Sequence, residues 1–351
     1  MRSVYASLRE PVFVISLLAA IFLFSPGPAV PQARAANQIV LRIATAVPRT
    51  ASSARYAKKG IKRLEQLTNN RITARVYWGG AAGDEETVLR KMRLGQVDAS
   101  YLGLDIIRNF VPQAMVMGAP QTYTTYQQVD AVREALTPEF NRIAYSRGFI
   151  ILSWGDAGIL RIFSVKPIKR LKDFARMRPW VYRHSPLLKQ FYRLIGCSGV
   201  PIGLNDVYSA LQSGLVDVVW GSALTTSLMR WHVKTEYVSE PTGLLQGGAV
   251  ITRRFWDTMG ERDRKAIVRM VEQEREKLQE EMRDVDDAMY KRLLRRGIKP
   301  VNFERTDEWL AAGKRLREKM VGRLYSREIL SRVEKIIAQY PDRPGTPESF
   351  R

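Results

Sequence analysis

Two phrases of the sequence decide the fold: MRLGQVDASYL at residues 92–102 and LQSGLVDVVWG at residues 211–221. Each phrase has the end of a helix, a glycine that turns the chain, and a Val-Asp pair that opens a strand beside a cleft. The repetition predicts two lobes of similar construction.

The segments around both phrases alternate between strand and helix patterns. The first round predicts strands at 39–45, 72–78 and 97–101, with helices at 51–68 and 85–94, the latter capped by Asp84 and ended by Gly95. The second round predicts strands at 180–182, 200–202 and 216–220, with helices at 185–195 and 205–213, the latter capped by Asn205. Such alternation is typical of an α/β protein whose parallel sheets are covered by helices.

Three further segments connect the two lobes. Residues 148–165 predict two apolar strands around Gly155-Asp156 that lead from the first lobe to the second, and a return crossing is expected at 244–252. Residues 261–296 have apolar positions three, four and seven apart, which predicts one long helix. At about 1.5 Å per residue it would span roughly 50 Å, so it either bridges both lobes or pairs with a second subunit as a homodimer.

The first 35 residues predict an export signal. Arg2 and Arg9 precede the apolar run at 12–24, and a Pro-rich stretch then ends in Ala33-Arg34-Ala35, an A-x-A cleavage pattern. An uncleaved N-terminal anchor is the alternative, because the stretch before the cleavage pattern is long. In either case we expect the body of the chain to lie in the periplasm.

Composition narrows the classes of function. The net charge of +21 suggests an acidic partner, but export and the scatter of basic residues argue against nucleic acid; binding to an anionic lipid surface is a weaker alternative.

Cys197 is the only cysteine, so no internal disulfide is possible, and there are two histidines. No HExxH, CxxC, GxSxG or Walker motif is present, so we expect no catalytic set, metal or cofactor. An enzyme using Asp156 or Asp217 as acid or base is the competing hypothesis.

Five segments resemble, in order, those of the DctP-type TRAP transporter solute-binding proteins. They are a Gly-rich turn (YWGGAAGDEETVLRKMRLGQVDAS), a loop (NFVPQAMVMGAP), a lobe connection (KPIKRLKDF), a helix-to-strand segment (LNDVYSALQSGLVD) and the entry to the long helix (ITRRFWDTMGERDRKAI). The resemblance covers roughly residues 39–300.

The resemblance implies a two-lobed periplasmic-binding-protein fold with mixed sheets, an interlobe ligand cleft and a long C-terminal helix crossing the lobes. Expected boundaries are a signal peptide at 1–35, lobe I at 36–160 plus about 245–270, lobe II at 161–244 plus helices at about 271–335, and a disordered tail at 340–351. The implied partners are a small organic ligand and a permease of small and large membrane subunits. A stand-alone sensory module, or one for lipids or hydrophobic ligands, is the alternative.

The chain departs from the family where most members hold a ligand carboxylate with arginine. In the segment RPWVYRHSP, Val181 occupies the expected arginine position, and a second family arginine falls near Ile159. Arg161 and Arg183 lie two residues further on and are candidates to replace the missing pair, because a two-residue shift along a strand keeps a side chain on the same face. Without such replacement, simple dicarboxylates are expected to bind poorly.

An aromatic cleft is the other interpretation of this departure. Four aromatic residues lie at ends of predicted strands, where they either stack on ligand or pack the lobe cores: Trp154, Trp180, Tyr182 and Trp220. Ser222 follows a strand at a candidate helix N-terminus and is expected to help bind a polar or anionic group. Tyr101 is the corresponding residue of the first lobe.

Overall fold

The structure is a computed structural model that describes residues 38–50, 54–183 and 185–341. The predicted signal at 1–35 and nearly all of the predicted tail at 340–351 lie outside these residues. Within the described part there are ten strands: β1 Ile39–Ala44, β2 Ile72–Tyr77, β3 Ala99–Gly103, β4 Phe149–Ser164, β5 Trp180–Tyr182, β6 Val200–Ile202, β7 Val218–Gly221, β8 Tyr237–Ser239, β9 Gly243–Thr252 and β10 Lys299–Val301.

Twelve α-helices complete the described fold: α1 Ala54–Leu67, α2 Glu85–Leu94, α3 Leu104–Ile107, α4 Tyr126–Ser146, α5 Leu171–Ala175, α6 Pro186–Leu194, α7 Val207–Gln212, α8 Ala223–Leu228, α9 Arg253–Thr258, α10 Glu261–Arg295, α11 Thr306–Met320 and α12 Arg327–Gln339. None of these helices is both long and apolar enough to cross a membrane. Helix α2 confirms its two predicted ends, since Asp84 accepts from the Thr87 N–H and Gly95 adopts φ 70°.

The main sheet is mixed and has the strand order β10-β8-β4-β9-β3-β1-β2, with β7 also paired to β4. In the first lobe, β1 lies parallel to β2 and β3, while β9 runs antiparallel to β3 and β4. In the second lobe, β7 and β8 pair with the far half of β4, and β5 and β6 form a separate parallel pair. Strands β4 and β9 therefore run through both lobes, and the expected two-lobed α/β fold is confirmed.

Two local predictions are wrong. Residues 148–165 were expected to form two strands, but they contain the single strand β4. A bulge between Asp156 and Ile159 lies where the break was expected, and the pairing to β9 continues on both sides of it. Asn205 does not cap a helix; residues 204–206 form a short 3-10 turn, and α7 begins at Val207 without a side-chain cap.

The Val-Asp phrase has the same structural role in each lobe. Asp98 accepts the backbone N–H of Arg42 at 2.9 Å and its guanidinium Nε at 2.7 Å. Asp217 accepts the backbone N–H of Arg178 at 2.7 Å and its Nε at 3.2 Å. Each aspartate thus joins the start of its strand to a neighbouring segment. Its carboxylate points to that segment rather than into the cleft.

Helix α10 crosses both lobes, as predicted. Near its start Ile267 packs with Leu41 and Phe255 of the first lobe, and near its end Leu293 packs with Phe163 and Trp231 of the second. The length of this helix is thereby explained within a single chain. Helix α11 packs against α6 and α12 against α4, while the exact lobe boundaries stay a prediction.

Two buried aspartates join α10 and α4 to strand β4. The Asp156 carboxylate receives the guanidinium groups of Arg133 from α4 at 2.5 Å and of Arg283 from α10 at 2.8 Å. On α10, Asp286 accepts the backbone N–H of Ile159 in the β4 bulge at 2.9 Å and that of Leu224 in α8 at 2.8 Å. Buried carboxylates satisfied in this way hold the three elements in one arrangement.

The bulge depends on Gly158, which has φ +102° and would bring an added Cβ to 2.4 Å from the Asp286 carboxyl and 2.6 Å from Ser222 Cβ. We predict that Gly158→Ala destabilises the fold by about 3 kcal/mol or more, since both backbone strain and a clash with a held carboxylate arise. Gly297→Ala is the matched control, because Gly297 has φ +98° and nothing within 4 Å. Denaturant unfolding should show the Gly158 variant less stable than the control by about 2 kcal/mol; equal losses would contradict the clash.

Candidate ligand-binding site

Three glycines in register form a floor at the end of the first lobe's sheet. Gly247 of β9 pairs with Gly103 of β3 on one side and with Gly155 of β4 on the other. An added Cβ on Gly247 would lie 2.7 Å from the Tyr101 ring and 2.5 Å from the Leu102 carbonyl oxygen. The absence of side chains is therefore what lets an aromatic ring lie across these strands.

Tyr101 covers this floor. Its ring crosses β9, and its hydroxyl donates to the Gly155 carbonyl oxygen at 2.9 Å. The side chain is 41% exposed, so part of the ring is accessible to solvent. Burial raises the pKa of its phenol, which stays protonated and keeps its hydrogen bond.

Two carboxyl groups stand beside the floor. Glu85, in the first turn of α2, accepts the backbone N–H of Gly103 at 3.0 Å. Burial raises the pKa of Glu85 to about 7, with the negative charges of Asp105 and Asp84 adding to the effect and the Gly103 N–H opposing it. A carboxyl group with this pKa changes its charge near neutral pH.

Asp105 is the second carboxyl group and lies in the first turn of α3, directly after β3. Its Oδ1 atom is buried and has no hydrogen-bond partner among the described residues. Burial raises the pKa of Asp105 to about 6, although a hydrogen bond with the Ser185 side chain and the positive charge of Arg108 both lower it. Asp105 thus lies near the start of α6, and together with Glu85 it forms an acidic wall of the first lobe.

Tyr182 and α6 form the opposite wall. Tyr182 ends β5 and is half-buried. Burial raises the pKa of its phenol, and so do the negative charges of Glu85, Glu86, Asp84 and Asp105 of the first lobe, which lie near enough to act on it. An added Cβ on Gly118 would lie 3.4 Å from Leu187 Cδ1 of α6, so the two lobes are in contact.

The three predicted tryptophans pack in the interior. Trp154 meets Phe140 edge-on at 6.1 Å, Trp180 meets Trp231 at 5.3 Å, and Trp220 lies against the Phe174 and Phe191 rings. All three are at most 6% exposed. The Trp180 indole N–H donates to the Ile202 carbonyl at 3.1 Å. These contacts favour a core role over ligand stacking.

The arginine candidates lie elsewhere than the acidic wall. Val181, at the expected clamp position, is buried in the core. Arg161 is 7% exposed; its guanidinium donates to the Ser239 carbonyl at 3.2 Å and lies 4.0 Å from the centre of the Tyr290 ring on α10. Burial lowers its pKa. Arg183 follows β5 in an exposed turn.

Ser222 is completely buried and caps α8 by accepting the Thr225 N–H at 3.1 Å. The Asp286 carboxylate accepts the next free N–H of this helix end, that of Leu224. The chain's own carboxylate therefore fills the place where Ser222 and α8 were expected to receive an anionic group.

Sequence reasoning missed the acidic wall. Sequence patterns singled out neither Glu85 nor Asp105 as a ligand-binding residue. The available signal for Asp105 was its place directly after a strand of a parallel pair, at the sheet edge where ligands bind in α/β folds. No signal in the sequence indicated that Asp286, 127 residues from Ile159, would reach the β4 bulge.

The raised pKa of Glu85 has a testable sign. A carboxyl group whose folded pKa is raised favours the protonated fold, so its contribution is present at low pH and is lost as pH rises from about 4.5 through about 7. Gln cannot ionise but can still accept from Gly103. We predict that Glu85→Gln stabilises the solute-free chain by about 2 kcal/mol at about pH 8 and little at about pH 4.

Glu134→Gln, at an exposed position of α4, is the control for this variant. Denaturant unfolding at both pH values measures the difference. A Glu85→Gln effect that is the same at the two pH values would show that Glu85 ionises in the fold as it does in the unfolded chain.

Curated relatives and solved structures share this architecture. The chain is 23% identical over 222 residues to the uncharacterized protein YiiZ of Salmonella typhimurium, covering 60% of this chain and 63% of that protein. It is 22% identical over 226 residues to the sialic acid-binding periplasmic protein SiaP of Vibrio cholerae, covering 62% and 68%. The match thus spans less than two thirds of the Salmonella relative and of relatives from Roseobacter denitrificans and Chromohalobacter salexigens.

The fold is similar to that of the TRAP periplasmic solute binding protein from Polaromonas sp. JS666 bound to D-erythronate. The TM-score is 0.78 at 19% identity, covering 87% of this chain and 100% of the other. A family model described as "Bacterial extracellular solute-binding protein, family 7" (DctP) matches residues 43–323. The chain belongs to the DctP family of bacterial extracellular solute-binding proteins.

Proposed function

We propose that this chain is the extracytoplasmic receptor of a TRAP-type secondary transporter and captures a small organic solute between its lobes. The accessible ring of Tyr101 over the three-glycine floor at the end of the first lobe's sheet, where ligands bind in α/β folds, carries this proposal. Tyr101, Glu85 and Asp105 supply the wall from the first lobe, and Tyr182 and Ser185 supply the wall from the second.

The motion of the proposed receptor arises at β4 and β9, the two strands that cross between the lobes. Closure of two lobes about connecting strands traps a ligand that contacts both lobes and shifts the population toward the closed form. Asp105 with Ser185, and the acidic wall with Tyr182, are the pairs that such closure brings together. The closed form would then dock on the small and large permease subunits in the periplasm, after export directed by residues 1–35.

The alternatives have less support. As an enzyme, the chain would need Asp156 or Asp217 as a free acid or base, but both are held by arginines. A receptor for lipids or hydrophobic ligands would need an apolar cleft, whereas the three tryptophans pack in the interior and the carboxyls of Glu85 and Asp105 lie beside the glycine floor.

We predict that the mature chain, purified from its native source, releases a small molecule of defined mass when native mass spectrometry is followed by denaturation. Removing that molecule should enlarge the radius of gyration in X-ray scattering, because the lobes open. Tyr182→Ala should weaken retention by about tenfold or more, since it removes the aromatic wall of the second lobe.

Tyr208→Ala is the matched control, because Tyr208 lies on α7 near the surface cations Arg230 and Lys234. If the native protein carries no molecule and its scattering is unchanged by a broad mixture of periplasmic metabolites, the receptor function is refuted.

A further inference from the structure

The first lobe has a basic cavity on its outside, away from the candidate ligand-binding site. The cavity has a volume of about 590 Å³, and its walls come from the last turn of α2, the turn between α4 and β4, and the end of β9 with α9. Four arginines and a single aspartate supply its charged groups: Arg93, Arg147, Arg253, Arg254 and Asp257. This volume falls within the range of about 300–1,000 Å³ in which sites for small organic groups lie.

The basic cavity lies at the opposite edge of the sheet from the glycine floor. Thr252, which lines the cavity, is five residues further along β9 than Gly247 of the floor, a separation of roughly 17 Å at about 3.4 Å per residue. Strand β1 begins at the same edge as the cavity, because Ile43 near its end pairs with Ala99 at the start of β3. The residues before 38 therefore join the lobe on this side.

Two of the arginines are held in place at the cavity. An added Cβ on Gly95 would lie 0.8 Å from Nη2 of Arg254, so the bare backbone at the end of α2 is what leaves room for this guanidinium. The Arg253 guanidinium lies 5.1 Å from the centre of the Tyr145 ring and donates to the Tyr145 carbonyl oxygen at 3.4 Å. The backbone N–H of Arg253 also donates to the Gly148 carbonyl at 2.9 Å, which joins two walls of the cavity.

The positive charge of the basic cavity is not balanced by the protein. Asp257 lies 3.6 Å from Nε of Arg253 and 3.8 Å from a guanidinium nitrogen of Arg264, so two cations already share its carboxylate. Within the described part of the chain, no carboxylate forms an ion pair with Arg93, Arg147 or Arg254. Guanidinium groups that line one cavity repel one another, and an anion between them removes that repulsion.

The chemistry of this cavity favours the phosphate group of a phospholipid. Guanidinium groups are weakly hydrated and pair with phosphate through two parallel N–H donors. The buried side chains of Met92 and Phe149 add an apolar part to the lining, which suits the glycerol carbons next to such a phosphate. A membrane that contains anionic lipids also attracts a chain with a net charge of +21.

We propose that the basic cavity binds the phosphate group of an anionic phospholipid, so that this edge of the first lobe rests on a membrane surface. The lipid is a contact on the outside of the lobe and not the solute between the lobes. This site goes beyond the proposed receptor function and does not depend on which solute the receptor captures.

The experiment measures binding to vesicles by co-sedimentation. The mature chain, without residues 1–35, is mixed at about 0.1 M salt with vesicles of phosphatidylcholine alone or with about 30% phosphatidylglycerol. We expect binding to the vesicles that contain phosphatidylglycerol and at least about tenfold weaker binding to phosphatidylcholine alone. Inorganic phosphate should displace the chain from the vesicles more effectively than sodium chloride of equal ionic strength, because it competes for the arginines.

Variants separate a specific site from general attraction. The double variant Arg147→Gln with Arg254→Gln should weaken binding by about tenfold or more, since each basic residue at an anionic surface contributes about fivefold. The matched control is Arg176→Gln with Arg193→Gln, which removes the same charge from exposed positions near α5 and α6. The control should stay within about twofold of the parent chain, because charges far from the contact are screened at this salt concentration. Equal thermal midpoints of the two variants show that both are folded.

Four results would overturn the inference: equal binding to both kinds of vesicle, binding to neither, equal losses in the two double variants, or calorimetric binding of inorganic phosphate without binding to vesicles. The last result would assign the basic cavity to free phosphate instead of a lipid. The receptor function is tested separately, since solute release in native mass spectrometry should be the same in the Arg147→Gln, Arg254→Gln variant as in the parent chain. Loss of vesicle binding with solute release intact therefore concerns the lipid site alone.

Discussion

The carboxylate of Asp286 is the contact on which the arrangement of both lobes depends. It lies on the long helix α10 and accepts one backbone N–H from the β4 bulge and one from the start of α8. Both donors would otherwise be unpaired in the interior, which costs free energy comparable to a lost hydrogen bond. The conformation of the bulge, including Gly158, and of the start of α8 therefore depends on Asp286, a residue far along the chain.

A second pair of carboxylates explains why the same sequence phrase occurs twice. Asp98 and Asp217 each accept the backbone N–H and the guanidinium of an arginine on a neighbouring segment. Such a bidentate, charge-assisted contact fixes the register of the strand that follows. The repeated Val-Asp pair thus has a structural role in each lobe, since its aspartate joins the strand to a neighbouring segment.

Sequence patterns predicted more of the fold than of the candidate site. Helix α2 with both its caps, the long helix and the crossing strands followed from local periodicity and from turn residues, whose effects act within a few positions. The single strand β4 and the missing cap at Asn205 were mispredicted, because a bulge supported by Asp286 and a 3-10 turn depend on contacts from outside the segment. Glu85 and Asp105 were missed because a carboxyl in the first turn of a helix is usually a surface residue, whereas the burial that raises the pKa of both groups depends on tertiary packing.

The glycine floor under Tyr101 and the side chains around it differ in how far they can accept substitutions. At Gly247 even a methyl group would collide with the Leu102 carbonyl and the Tyr101 ring, so the floor tolerates no added side chain at this position. The acidic and aromatic walls carry no such restriction. In the receptor that we propose, a lineage could therefore exchange one nutrient for another by altering wall residues alone, while the glycine floor and the closing motion are inherited unchanged.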